Sequence, residues 1–330
     1  MIFGDVPLDQ AEGAILAHSV SLPDGRLRKG QVLGPDDIAA LRAAGLAEVV
    51  AAQLGPQDVD ENTAAGELAD ALMLGHGQLR RSAAFTGRVN LLADGPGVAM
   101  LDVAAIEAVN AIDPMITVAT VPPFQQMADG GMIATIKIIS YAVPRAALDA
   151  ATAAARGAIG MAAPVIDSAD LIITEIPGGA GEKGRRAIED RLAALGVTLA
   201  EVVTVPHRRD ALETALGGLR SPLTLILTGS ATSDSADVAP QALIGAGGQL
   251  TRFGMPVDPG NLLFLGHLRD RQVIGLPGCA RSPALNGADW VLSRIVCGVA
   301  VSAADIAGMG VGGLLKEIPT RPQPRRGRKG

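Results

Sequence analysis

The stretch Leu223–Leu243, LTLILTGSATSDSADVAPQAL, limits what this chain can fold into more than any other. Leu223 to Leu227 is a short apolar run broken only by Thr224, which reads as a strand buried on both faces. A small polar loop follows, and then a helix opening near Asp237. Such a strand needs partners on both edges and helices over both faces, so the segment predicts an α/β layer. Its loop presents backbone N–H groups at a helix N-terminus, a natural anion site. Asp237 stands where it can hold a metal ion or steer a phosphate. The segment therefore points to a ligand rich in phosphate or other oxyanions.

The surrounding sequence repeats the strand–loop–helix rhythm. Strands are expected over 170–175, 197–205, 223–228 and 272–276, and helices over 183–195, 208–219, 237–244 and 282–297. This alternation predicts parallel βαβ units with right-handed crossovers, whose ligands bind outside the carboxyl ends of the strands. Three loops fall at that edge, after Thr174, Thr228 and Leu276. In the second of them Gly229 permits close approach of backbone to ligand, and the hydroxyls of Ser230, Thr232, Ser233 and Ser235 can donate hydrogen bonds. Asp234 joins this polar run. Asp237 has two readings, an oxygen ligand to Mg²⁺ or part of a plain polar loop in which Asp237 or Ser235 is the helix N-cap. After Leu276, the run Pro277-Gly278-Cys279-Ala280-Arg281-Ser282-Pro283 predicts a helix capped by Ser282 with proline at its first position, and Arg281 as an anion contact. Glu182, in the glycine-rich segment EIPGGAGEKGR, and the turn Met255–Asn261 with Pro259 and Gly260 are weaker markers.

Before residue 168 the pattern is α+β. We expect a segment over 1–60, a middle domain over 61–150, the α/β domain over 168–315 and a basic tail over 316–330, the last expected to be disordered. In the first segment Asp9 is read as capping a short helix through Ala17. In the middle domain, Asp94-Gly95-Pro96-Gly97 reads as a hairpin turn between Arg88–Ala93 and Val98–Leu101.

Composition excludes several classes. Two cysteines, Cys279 and Cys297, cannot build a disulfide framework or zinc ribbon, and fit a reducing cytoplasm. A net charge of −6 argues against non-specific nucleic-acid binding. Residues 1–10 hold two acids and no basic run, so no secretory signal is expected. The most apolar candidate span, 295–315, contains Asp305 and several glycines, and a membrane crossing is not expected. No P-loop, Rossmann fingerprint, HExxH or serine-hydrolase elbow is present. The four histidines show no metal-ligand spacing.

Taken together, Thr228-Gly229-Ser230 with Asp237-Val238-Ala239-Pro240, Pro259-Gly260-Asn261 through Gly266, and Gly275-Leu276-Pro277-Gly278 through Ser282 resemble the molybdopterin-binding (MoaB/Mog-type) domain. Their order and spacing resemble the molybdopterin molybdotransferase (MoeA-like) branch. The opening Val6, Ala11, Gly13 and Leu16-Ala17 is similar to the start of that branch. The resemblance implies a Mog-type parallel-sheet domain with helices on both faces. It implies molybdenum cofactor biosynthesis, with molybdopterin or adenylyl-molybdopterin, molybdate and Mg²⁺ as ligands. Asp237 would be the metal ligand and catalytic residue, with the pterin ligand held by the loops above. It also implies a homo-oligomer, dimer or trimer, and a molybdoenzyme as a partner to be served. The chain departs from the family at Ser230 (a glycine), at His207-Arg208 (an acidic pair), at Asp258 (a lysine) and at Cys279 (an asparagine). Arg208, Arg209 and Arg281 are the residues available to replace lost positive charge. Because acids are lost, a non-catalytic module that carries or senses the cofactor stands beside the enzyme reading. A nucleotide pyrophosphatase related to competence-damage proteins ranks third, since its TGGLGP signature is absent.

Overall fold

A computed structural model describes residues 1–258 and 260–315. The chain is mixed α/β and divides into two compact units. One comprises 1–94, 99–123 and 129–161; the other comprises 95–98, 124–128 and the residues from Ala162 onward.

In the first unit the strands Ile2–Pro7 and Ile15–Leu16 flank Glu48–Gln53, both antiparallel to it. Val6, Leu16, Leu33, Leu41 and Val49 form a small core beneath them, completed by the helix Pro35–Ala43. The helix expected from Asp9 to Ala17 does not form. Gly13 sits at φ +78°, a left-handed conformation that ends any helical run, and Ile15–Leu16 pairs instead with the Glu48–Gln53 strand. A second sheet has the order Ile116–Thr120, Met132–Ile138, Arg88–Ala93, Leu79–Arg81, antiparallel throughout. Asp60 caps the helix Glu61–Leu72 by accepting from the N–H groups of Asn62 and Thr63. Asp102 caps Val103–Ile112 by accepting from the N–H of Ala105. The hairpin expected at Asp94–Gly97 is corrected. Arg88–Ala93 pairs with Leu79–Arg81 and Met132–Ile138, whereas Gly97 and Val98 pair with Met127 and Gln126.

The second unit is built on six strands in the order Thr198–Pro206, Ser168–Glu175, Leu223–Leu227, Arg271–Leu276, Asn261–Leu268, Gln249–Met255. The first four run parallel, Asn261–Leu268 runs antiparallel to them, and Gln249–Met255 pairs antiparallel to Asn261–Leu268. All five residues of Leu223–Leu227 are buried, because the pleat sends successive side chains to opposite faces and both faces are covered. Leu171, Ile173, Leu225 and Leu227 pack with Ile188 and Leu192 of the helix Arg185–Ala193 and with Val291 and Leu292 of the helix Gly287–Val296. Ile172 and Ile226 face the other way, onto Leu212 and Leu216 of Arg209–Gly218 and Ala242 and Leu243 of Val238–Gly245. Below the sheet, the buried Asp170 carboxylate takes three donors, from Arg220 N, Ser221 N and Ser221 Oγ at 2.7–3.1 Å, which fixes the entry to the Leu223 strand.

No helix among the described residues is long and apolar enough to cross a membrane. The basic tail, residues 316–330, lies outside the described residues.

The two thiols differ in environment. Cys297 is 4% exposed, and burial pushes its thiol up to about 11, while Cys279 is half-buried. The nucleophile is the thiolate, so Cys297 is protected twice, by access and by ionisation. We expect a disulfide-exchange reagent at pH 8 to label Cys279 in the native chain and Cys297 only after denaturation. Fast labelling of both thiols in the native chain would contradict this burial. A raised folded value also means that this thiol's contribution to stability is intact below its unfolded value. That contribution is lost as pH climbs towards the folded one.

Candidate functional site

The parallel strands deliver three loops to their carboxyl edge, and the antiparallel pair adds a fourth. The register Phe264↔Gly275 sets Asn261, the first residue of its strand, at the end where Leu276 finishes. The turn containing Gly260 therefore lies on the same edge; Pro259 itself falls outside the described residues.

The loop after Leu227 is tied down from beneath. Gly229 donates its N–H to Thr174 Oγ1 at 2.9 Å, and the same hydroxyl meets His207 Nδ1 at 2.8 Å. A Cβ on Gly229 would lie 2.5 Å from the Thr174 carbonyl oxygen and 3.2 Å from Ile176 N, so glycine is required by the close approach of two backbones. His207 also donates its N–H to the Glu175 carbonyl. His207 thus joins three strand ends, a contact across 33 residues that spacing could not show.

From above, the loop is held by Arg281. Its Nη1 donates to the carbonyls of Gly181 (3.1 Å) and Lys183, and its Nη2 to that of Thr228 (2.8 Å). Three of its five N–H groups are used this way. Arg281 is thus a clamp on two neighbouring loops, and burial lowers its pKa from the ordinary arginine value. Gly184 completes the junction, since a Cβ there would meet Arg281 Cα at 2.7 Å.

Within the loop, Asp237 caps the helix Val238–Gly245. Its Oδ1 accepts from Val238 N at 2.7 Å, and its Oδ2 from Ser233 N at 3.0 Å. Asp234 Oδ1 accepts from Ala236 N at 2.7 Å, and the Ser235 hydroxyl reaches it at 3.5 Å. Among the described residues the N–H groups of Ser230, Ala231 and Thr232 meet no acceptor. Ser230, Ser233, Asp234 and Ser235 are exposed, whereas Thr232 is buried with its hydroxyl 3.5 Å from that of Thr228. The loop therefore offers unused amides and hydroxyls beside two carboxylates.

The third loop differs from its expected form. Gly278–Arg281 is a single 3-10 turn, and the helix opens at Gly287, not at Ser282–Pro283. Asn286 is the cap, in a reciprocal box with Asp289. Arg191 donates to the carbonyls of Ala280, Ser282 and Ala284 at 2.8–3.0 Å. These contacts hold 280–284 as an irregular loop ahead of the helix. Pro277 is buried; Gly278 and Ser282 are exposed at the edge. Glu182 is exposed and lies 3.8 Å from Arg185.

As to a metal, no group of three or more His, Cys, Asp or Glu side chains among the described residues is arranged to hold one. Mg²⁺ bound through one or two carboxylates and a ligand's phosphates does not need such a cluster. Asp237 and Asp234 fit that smaller requirement, each carboxylate oxygen keeping a lone pair beyond its backbone donor.

Residues 5–53 match a family model described as a domain of unknown function (DUF8806). No curated protein matches the chain. Among solved structures it is similar to the molybdopterin biosynthesis enzyme MoaB from Thermus thermophilus, at 14% identity and a TM-score of 0.30, over 39% of this chain and 90% of that one. It is also similar to the protein CinA, with unknown function, from Thermoplasma acidophilum, at 16% identity and a TM-score of 0.25, over 35% and 90% of the two chains.

Proposed function

We propose that the second unit binds molybdopterin or its adenylylated form at the carboxyl edge of its sheet and serves molybdenum cofactor biosynthesis. The observation that carries this reading is the Thr228–Asp237 loop. It is a set of unused backbone N–H groups and hydroxyls next to a helix N-terminus, clamped by Arg281 and Thr174, in a segment whose motif order resembles the family. The Ser230–Thr232 amides and the Ser233 and Ser235 hydroxyls receive phosphate oxygens. Asp237, with Asp234 beside it, would hold Mg²⁺, which when bound supplies charge neutralisation for a transferring group. The chain's own contribution is a preorganised set of dipoles that need not rearrange as charge develops.

Catalysis of molybdate insertion and a carrier role are separated by the acids. The positions where the family keeps an acidic pair hold His207, bound to Thr174, and Arg208, paired with Asp210 at 3.0 Å. These engagements favour binding over nucleotidyl chemistry. The deciding experiment incubates the chain with adenylyl-molybdopterin, molybdate and Mg²⁺ and follows AMP release and protein-bound pterin together. Asp237→Asn keeps an oxygen for the helix cap but loses the charge, so we expect it to stay folded. We expect its Mg²⁺-dependent signal to fall roughly tenfold to hundredfold. Wild-type AMP release that needs molybdate and fails in this variant means an inserting enzyme. Bound pterin without AMP means a carrier, and neither signal rejects the ligand.

A further inference from the structure

The first unit contains a cavity of about 760 Å³ that the reading above leaves unused. Its size suits a drug-sized ligand. The chain has only five phenylalanines, one tyrosine and one tryptophan, and the single tyrosine is here. Tyr141 donates its hydroxyl to the Ala17 carbonyl at 3.2 Å, which fixes the ring. Phe3 lies near-parallel to it, centroids 6.4 Å apart and 14° between planes. Phe3 is 55% exposed and Ile139, on the same cavity, 57%. Water thus wets a flat apolar wall that the unit's own core does not cover.

The polar part is compact. Glu61, the first residue of its helix, lies half-buried with Lys137 Nζ 3.6 Å from its carboxylate, and burial raises its pKa. Lys137 also donates to the Thr86 carbonyl. Thr86 and Gly87, at φ +47° and +67°, are the central pair of a tight turn closed by Phe85 and Arg88, which sets Thr86 on the cavity wall. Lys29, also exposed and lining the cavity, acts on Glu61 electrostatically from beyond ion-pair distance. Among the lining side chains, two lysines against one glutamate leave an excess of one positive charge, and Lys29 is the lysine farther from that carboxylate.

We infer that this cavity is a binding site for a planar aromatic carboxylate, its ring on the Phe3–Tyr141 wall and its anion on Lys29. The site stands on residues of the first unit alone and does not depend on the pterin reading.

The test uses the full chain and 2-naphthoate, with neutral 2-naphthalenemethanol as the uncharged counterpart, by titration calorimetry. We expect saturable binding of one naphthoate per chain and roughly tenfold weaker binding of the alcohol, the effect of about one charge-assisted hydrogen bond. Lys29→Met, an exposed change, should bring the acid down to the affinity of the alcohol. Met115→Trp, which fills the cavity from its exposed rim, should abolish both. Unchanged thermal midpoints show that the variants remain folded, and Asp237→Asn should bind naphthoate like the wild type. The inference is overturned if the folded wild type binds neither compound. It is equally overturned if acid and alcohol bind alike and Lys29→Met changes nothing, or if Met115→Trp binds as before.

Discussion

Replacing Arg191 by alanine is expected to destabilise the second unit by about 3–5 kcal/mol, the usual cost of breaking a buried ion pair from one side. All five guanidinium N–H groups of this residue are used. Nε meets Asp289 Oδ1 at 2.5 Å, Nη1 the carbonyls of Ala187 and Ala280, and Nη2 those of Ser282 and Ala284. The two side chains of the pair are 11% and 10% exposed. Alanine removes the guanidinium donors of the Ala280, Ser282 and Ala284 carbonyls and leaves the nearly buried Asp289 carboxylate, still bound by Asn286 N, without its counter-charge. Lysine supplies one ammonium in place of a planar fork and should recover only part of the loss. Trp290, in the helix that Asp289 helps to cap, reports this unit's unfolding locally, which matters in a chain of two units. Urea titrations of Arg191→Ala, Arg191→Lys, Asp289→Ala and the double variant would measure it. The double variant should lose clearly less than the sum of the two single losses. A loss below about 1 kcal/mol in Arg191→Ala would show that the loop is not held this way.

Arg191 also shows where a sequence stops being informative. In the run Arg185–Leu195 it has the spacing of an ordinary charged residue on a helix. Its acceptors outside that helix are 89 to 98 residues away, so no local pattern marks it. The sequence also misleads at Ser282-Pro283, which carries a sound N-cap signal. The signal is outcompeted by the Asn286–Asp289 box four residues on, while Arg191 ties down the segment between. By contrast, Leu223–Leu227 is legible because a strand buried on both faces needs an unbroken apolar run. The Gln249–Met255 strand is not legible, since register shifts between Leu250 and Arg252 and between Phe253 and Met255 break its period of two. Of the candidate site, the edge loops follow from strand order. The tie between Thr174, His207 and Gly229 does not, because it joins three strand ends through one hydroxyl.

That tie leads to the second large effect. Gly229→Ala is expected to lower ligand affinity at the carboxyl edge by roughly a hundredfold or more and to cost about 2–3 kcal/mol in stability, as overpacking against backbone does. The new methyl would sit 2.5 Å from the Thr174 carbonyl oxygen, with Ile176 N and Thr174 C each at 3.2 Å. None of these is the movable end of a side chain. The strand cannot retreat, because Ile173 is paired with Leu227 and Thr174 with Val205. The loop must therefore lift, breaking the Gly229–Thr174 bond or the Arg281 hold on the Thr228 carbonyl, and the Ser230–Thr232 amides lose their common aim. Thr174→Val separates the two causes, since it removes the hydroxyl without adding a clash. It should cost about 1–2 kcal/mol, the penalty for leaving the Gly229 N–H without its acceptor, and weaken binding by less than Gly229→Ala does. Calorimetric titration of both variants with molybdopterin, beside their thermal midpoints, decides the matter. Wild-type affinity in a folded Gly229→Ala chain would mean that the ligand does not rest on this loop, and the carboxyl-edge reading would fall with it.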